Sequence, residues 1–441
     1  MEQSRECYSK AKQETEAYLT GNKWGWVETS IWTERMLTAL ENGVKGGRWF
    51  SLIDKVYSAK TLEAAWKQVK ANGGAAGIDK ITVERFESRA AEYLMEIERG
   101  LKENRYQPQP VRRVYIPKEN GKMRPLGIPS VKDRIVETAL KYVLEPIFEH
   151  EFLEVSHGFR PSRGCKDALR DVDKGIKTGE VWVVDADLKS YFDSIPHDSL
   201  IERIEEKVSD GRVLSVIKGY MKQEIFEETK QWTPERGTPQ GAVLSPLLAN
   251  IYLHGLDKTI TQKGHKMVRY ADDFVIMCKT REEAERAMET VREWVKSNGL
   301  ELSAEKSHIG NCTIEGQGFE FLGYRFEAGQ RFVRKKSFDH LKEKIRGKTF
   351  RTRGDSLQKI TEDLNKTLKG WFEYFKHAHK HTFKVIDGFV RRRLRALLRK
   401  QDKRPGMGKC LRDHMQWTNA FFAEHGLFTM VEAHEAAVQS R

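Results

Sequence analysis

Two short apolar stretches that end in carboxylates constrain this chain more than any other feature. The first, Val181-Trp-Val-Val-Asp185-Ala-Asp187, is apolar and β-branched until it reaches its acids. Strand alternation puts Val181, Val183, Asp185 and Asp187 on one face. A carboxylate taken out of water without a partner is costly, so same-face acids closing an apolar strand call for a cation or a solvated end. The second, Val268-Arg-Tyr270-Ala-Asp272-Asp273-Phe-Val-Ile-Met277, reads as two strands around a tight turn. Asp is ordinary in such turns, and the pair alone says little. Its place 85 positions after the acidic strand end says more. Asp187, Asp272 and Asp273 are the three carboxylates that a two-metal nucleotidyl-transfer site requires, with two Mg²⁺ ions roughly 4 Å apart serving the attacking and leaving oxygens. Magnesium takes oxygen ligands and keeps water, so a few carboxylates on rigid strands suffice.

The surrounding pattern is α+β. Val111 to Ile116 and Met123 to Ile128 read as strands joined by Lys118-Glu-Asn-Gly-Lys122, a hairpin signal. A long helix is expected from about Lys132 to Phe148, a strand over 180–188, a loop at Arg236 to Gly241, a helix over 244–256 and a hairpin over 266–278. Helix and strand alternate without a regular βαβ period, which points to a sheet with helices on one face. The run Asn72-Gly-Gly-Ala-Ala-Gly77 has no following Lys-Ser or Lys-Thr and reads as a helix stop, not a phosphate loop. After Phe319 to Phe326 the sequence turns helical and basic. The expected domains are a helical extension (1–57), an N-terminal and fingers region (58–175), a palm with the site (176–326) and a basic helical domain (327–441).

Charge points to the partner. The 441 residues carry a net charge of +13, and Arg331 to Arg412 hold 26 Lys and Arg against 8 Asp and Glu, a net of +18. The rest of the chain is slightly acidic. A basic excess confined to one segment favours a polyanion, because neutralising phosphates releases counterions. Five widely spaced cysteines with no CxxC pair argue against a disulfide framework and a zinc site, and for a reducing cytoplasm. No apolar run reaches the roughly 18 residues of a membrane span, so no membrane partner is expected. His377, His379 and His381 lack the accompanying ligands of a metal site and read as surface or phosphate contacts.

In order along the chain, Arg124-Pro-Leu-Gly-Ile-Pro, His157-Gly-Phe-Arg160-Pro-Ser-Arg163, Asp187 with Phe192, Gly237-Thr-Pro-Gln240-Gly241, Tyr270-Ala-Asp272-Asp273, Gly299-Leu-Glu-Leu-Ser-Ala-Glu-Lys306 and Phe321-Leu-Gly-Tyr324 resemble the motifs of reverse transcriptases encoded by bacterial group II introns. The resemblance covers residues 60 to 400. It implies a right-hand polymerase with fingers and palm, followed by an α-helical thumb and maturase domain. It implies an RNA-directed DNA polymerase using Mg²⁺ and dNTPs on an RNA template with a DNA primer. The partners it implies are the intron RNA, whose splicing and mobility it assists, and a target DNA, with nucleoid association while on DNA.

Residue by residue, the resemblance makes Asp187, Asp272 and Asp273 the metal-binding cluster. Asp193 is given a structural role, and Asp185 is left open. Phe192 resembles the steric gate against a ribose 2′-hydroxyl. Gln240 and Gly241 lie against the templating pair, and Tyr270 borders the substrate. Lys118 and Arg124 would hold the triphosphate, Arg by a bidentate fork and Lys as a point charge. Lys306 resembles a general acid for the departing pyrophosphate. Arg160, Arg163, Arg391, Arg392, Arg393 and Arg395 are expected on nucleic acid.

Many such proteins end in a DNA-binding region and an HNH endonuclease with cysteine pairs, which this sequence does not show before Arg441. Primers from another source, such as a nascent strand at a replication fork, are then expected. Two alternatives stand beside this reading. One is a bacterial reverse transcriptase serving defence or repair; the other is a binding-only splicing factor, which would be expected to have lost the carboxylates kept here.

Overall fold

The computed structural model describes residues 23–117, 123–227, 230–408 and 410–439. Contacts divide the chain into two compact units, the first made of Met1–Gly179 and Ala186–His308 and the second of Glu180–Asp185 and Ile309–Arg441. Residues 309–326, expected with the palm, are grouped with the helical unit. In chain order the strands are β1 (Val111–Pro117), β2 (Met123–Ile128), β3 (Trp182–Asp187), β4 (Ile225–Glu227), β5 (Lys230–Trp232), β6 (Lys266–Tyr270), β7 (Asp273–Cys278), β8 (His308–Asn311), β9 (Phe319–Phe321), β10 (Tyr324–Glu327) and β11 (Gln330–Val333).

The first unit is organised around the helix Val131–Glu151, whose side chains are buried on most faces, as an apolar pattern all round a helix demands. Ser130 caps it by accepting from the Asp133 N–H. The helix Ala59–Asn72 packs against it through Leu62, Ala65, Trp66 and Val69. Part of the N-terminal extension also joins this core, since Trp32 is buried and donates its indole N–H to the Tyr142 carbonyl at 3.0 Å. The hairpin expected before the long helix is present: β1 and β2 pair antiparallel, with Pro117 opposite Met123 and Arg112 opposite Ile128. Its sheet runs β2-β1-β4-β5. Farther along, the buried helix Ser245–Gln262 leads into the antiparallel hairpin β6–β7.

In the second unit the first residues of β3 lie beside β8, and the Cys312 N–H donates to the Val181 carbonyl at 3.0 Å. The small sheet β11-β10-β9 follows. The basic segment then folds into the helices Lys335–Lys348, Leu357–Phe375 and His381–Gln401, followed by three shorter ones. The Phe-Leu-Gly-Tyr motif is tied to this bundle twice, because the Tyr324 hydroxyl donates to the Tyr374 carbonyl and the Tyr374 hydroxyl to the Leu322 carbonyl. Among the described residues no helix is long and apolar enough to cross a membrane.

Candidate active site

The β6–β7 hairpin closes with Tyr270 opposite Asp273, leaving Ala271 and Asp272 as a two-residue turn. Ala271 has φ 60°, a conformation that costs a non-glycine residue on the order of 1 kcal/mol or more and is held only where the surroundings impose it. The turn presents Asp272 half-buried and Asp273 exposed at the start of β7. Burial raises the Asp272 carboxyl above its ordinary range and the nearby Asp187 carboxylate adds to that rise, while its own backbone N–H, Arg124 and Arg269 oppose it. The Asp187 carboxylate thus contributes to the field at Asp272.

Asp187 is fixed by the segment that follows the Gly299-Leu-Glu-Leu motif. Its carbonyl accepts from the Ser303 N–H at 2.8 Å, and its N–H donates to the Ser307 hydroxyl at 3.2 Å. Lys306, on the same segment, donates its ammonium to the Asp187 carboxylate at 2.8 Å. A cation thus already sits on one oxygen of Asp187. Carboxylate oxygens as the donor set, with an ammonium already standing on one of them, suit Mg²⁺. Among the described residues no three acidic, His or Cys side chains converge tightly enough to hold an ion by themselves.

Phe192 is half-buried, its ring edge-on to Tyr191 at 5.6 Å between centroids. Behind it, the Tyr191 hydroxyl donates to the Ala249 carbonyl at 2.6 Å. The Gly237-Thr-Pro-Gln-Gly loop is bound to this turn, since the Thr238 N–H donates to the Phe192 carbonyl at 2.7 Å and the Gly237 N–H to the Ile195 carbonyl at 2.8 Å. On its other side the loop meets β2: the Gly127 N–H donates to the Gln240 carbonyl at 2.7 Å. Gly241 has φ 108°, and a Cβ there would come within 2.4 Å of the Gly127 carbonyl oxygen, so only glycine fits. Arg124 donates to the Gln240 side-chain oxygen at 2.9 Å, and the Gln240 amide donates to Asp193 at 2.9 Å. Gln240 and Asp193 line part of a cavity of about 300 Å³ with Arg113, Trp232 and Arg236.

Tyr270 is hydrogen-bonded to Cys165, and that bond, before burial, pushes its hydroxyl pKa up to about 12. Lys118 lies outside the described residues.

The arginines expected on nucleic acid divide into two groups. Arg160 is interior: it donates in a fork to Glu149, at 2.9 Å and 2.7 Å, and to the carbonyls of Leu153 and Ser156. Arg395 is also interior and donates to the Trp417 carbonyl at 2.9 Å, while Arg393 donates to the Thr349 carbonyl at 2.6 Å. Their fixed donors serve the fold. Arg392 is exposed, Arg391 is half-exposed, and Arg163 pairs with the exposed Glu154.

Four residues around the turn escaped the sequence reading. Arg269 is fully buried and forms a fork to Asp257 at 2.7 Å and 2.6 Å. Its remaining nitrogen donates to Asn250 at 2.8 Å and to the Ala271 carbonyl at 2.9 Å. The Asn250 amide donates in turn to the Gly158 carbonyl at 2.8 Å. The one hint in the sequence was an arginine directly after the apolar pair Met267 and Val268, with nothing to show its partner.

The family described as "Reverse transcriptase (RNA-dependent DNA polymerase)" matches residues 116–326, and the "Group II intron, maturase-specific domain" matches residues 338–416. The group II intron-encoded protein LtrA of Lactococcus lactis subsp. cremoris is 34% identical over 328 residues, 59% of this chain and 54% of LtrA. Protein YkfC of Escherichia coli K12 is 34% identical over 289 residues, 56% of this chain and 75% of YkfC. An uncharacterized 91 kDa protein in the cob intron of Schizosaccharomyces pombe is 43% identical over 161 residues, 36% of this chain and 20% of that protein. The match to the reverse transcriptase family over residues 116–326, on a mixed sheet-and-helix fold, defines the class as a reverse transcriptase. The chain belongs to the group II intron-encoded reverse transcriptases with a maturase domain, and it spans about half the length of LtrA.

Proposed function

We propose that this chain is an RNA-directed DNA polymerase that copies group II intron RNA into DNA and, through its basic helical unit, binds that RNA as a maturase assisting splicing and mobility. The observation that carries the reading is the β6–β7 hairpin turn that presents Asp272 and Asp273, with the Asp187 charge acting on Asp272. Two Mg²⁺ ions bound there would supply Lewis acidity to the primer hydroxyl and to the leaving oxygen. Asp187 and Asp272 would hold the metals, and Asp273 would complete the cluster. Arg124 leaves Gln240 to meet the triphosphate of the incoming dNTP. Phe192 closes the space beneath the sugar, and Gln240 with Gly241 backs the templating pair. Lys306 gives up Asp187 and donates a proton to pyrophosphate. Residues 176–308 act as the palm, residues 58–175 as the N-terminal and fingers region, and residues 327–441 as the RNA-binding domain, with Arg391 and Arg392 on phosphates. A target DNA receives the copy. Arg160, Arg393 and Arg395 are removed from the nucleic-acid set because their donors are committed inside the protein.

Primer extension on a defined RNA template with Mg²⁺ and dNTPs tests the reading. Extension by the wild-type chain is expected, together with a loss of roughly a thousandfold or more in Asp187→Ala or Asp272→Ala while RNA binding persists. Near-normal extension by either variant would overturn the assignment.

A further inference from the structure

The motif His157-Gly-Phe-Arg160 was expected at nucleic acid, yet its glycine lies against the back of the catalytic turn. A Cβ on Gly158 would come within 2.3 Å of the Ala271 nitrogen and 2.8 Å of the Tyr270 carbonyl carbon. Both are backbone atoms, so neither can swing aside as a side-chain tip would. The adjoining backbone is joined to β6, because the His157 N–H donates to the Arg269 carbonyl and the Arg269 N–H to the Val155 carbonyl, each at 2.8 Å. On the opposite side the Arg269 guanidinium reaches the Ala271 carbonyl, and Asn250 joins that guanidinium to the Gly158 carbonyl. Asp257 holds the guanidinium plane through two bonds. The turn that carries Asp272 is therefore backed by the buried residues Arg269, Asn250 and Gly158, with Asp257 as their anchor.

We propose that Arg269, Asn250 and Asp257 are positioning residues that set the height and angle of the Asp272 turn, with Gly158 as the wall against which the turn is pressed, so that this assembly fixes the affinity of the site for its divalent cation. None of these side chains needs to touch substrate. Ala271 holds its positive φ because the guanidinium bonds its carbonyl from one side and Gly158 blocks its nitrogen from the other. A hairpin turn left to itself relaxes to cheaper torsions, and a carboxylate displaced by an ångström is a poor ligand to an ion that demands near-ideal octahedral geometry. Partners behind metal ligands commonly change metal affinity about 10- to 100-fold when altered.

The inference rests on reading Asp272 as a metal ligand, and its test keeps the two apart. Asn250→Asp preserves shape and still accepts from Arg269, but it can no longer donate to the Gly158 carbonyl; Asp257→Asn removes the charge that orients the guanidinium. Mn²⁺ binding to the full chain with primer-template would be followed by electron paramagnetic resonance, alongside the Mg²⁺ dependence of single-nucleotide extension. Both variants are expected to weaken Mn²⁺ binding about tenfold or more and to raise half-saturating Mg²⁺ in parallel, with primer-template affinity unchanged. Asp413→Asn breaks a buried ion-pair cluster with Arg399 and Arg404 in the second unit and controls for lost stability. It is expected to lower the melting temperature without moving the metal dependence. Equal metal effects in Asp413→Asn, or none in a folded Asn250→Asp, would overturn the proposal. If Asn250→Asp does not fold, Asn250→Ser is judged by the same two readouts. Asp272→Asn separates the readings: if it keeps both Mn²⁺ binding and extension, the site itself is misread, whereas an inactive Asp272→Asn beside a wild-type-like Asn250→Asp refutes only the positioning role.

Discussion

At the residue scale, the proposed steric gate rests on Phe192. It is half-buried on a short turn whose carbonyl is held by Thr238, so its position is set by backbone bonds and not by packing alone. Phe192→Ala should raise the relative use of ribonucleotides about 10- to 100-fold with modest loss of dNTP incorporation, because the ring removes a competitor larger by one hydroxyl. Steady-state kcat/KM for matched dNTP and rNTP pairs checks this, and unchanged selectivity would return Phe192 to the core. The carboxylates were legible in the sequence because apolar strands ending in acids have few explanations. Arg269 was not legible. Its partner Asp257 sits on the preceding helix, and nothing in a one-dimensional pattern shows that a charge 12 positions upstream will be buried against it. Arg160 was expected on nucleic acid because its motif resembles the family's, but Glu149, 11 positions upstream on the long helix, takes its fork inside the protein.

The helix Val131–Glu151 was legible in position but not in its electrostatics. Asp133 and Glu137, one turn apart, are both fully buried. Burial drives Asp133 up to about 6 despite bonds from Ser130, Tyr106 and Gln109, and drives Glu137 up to about 8 against a bond from the Leu244 N–H at 3.1 Å. Both acids hold their protons more tightly when folded. Their contribution to stability is then fully present below the ordinary carboxylate range near pH 4 and is lost as pH rises through about 6 for Asp133 and about 8 for Glu137. The expected outcome is a first unit that weakens between pH 5 and pH 8, and Glu137→Gln should flatten that decline while keeping an acceptor for Leu244. Urea melts at several pH values measure it. A variant whose stability falls with pH as steeply as the wild type would show that Glu137 is ionised in the folded chain.

At the scale of the whole molecule the charge lies apart from the carboxylates. Residues 331–412 carry a net of +18 while the chain carries +13, so the proposed RNA affinity is assigned to the second unit, while Asp187, Asp272 and Asp273 lie in the first. Within the helix His381–Gln401, however, the four clustered arginines are not equivalent. Arg391 and Arg392 face outward, the latter over the Phe389 ring, whereas Arg393 and Arg395 bond Thr349 and Trp417. Replacing Arg391 and Arg392 together by Gln should weaken intron RNA binding and make the slope of log affinity against log salt shallower by about 1.4 to 1.8, as expected when two phosphate contacts and their released counterions are lost. Extension of a short primer-template at saturating concentration should be unchanged. Arg395→Ala should instead cost about 1–3 kcal/mol of stability, because the Trp417 carbonyl loses its buried donor, and should move the salt slope little. Parallel salt titrations and melts of the two variants separate a surface that meets phosphate from an interior that holds the unit together. An unchanged slope in the double variant would mean that this face of the helix does not contact the RNA backbone, and the positive charge would then have to act through the helices Lys335–Lys348 and Leu357–Phe375.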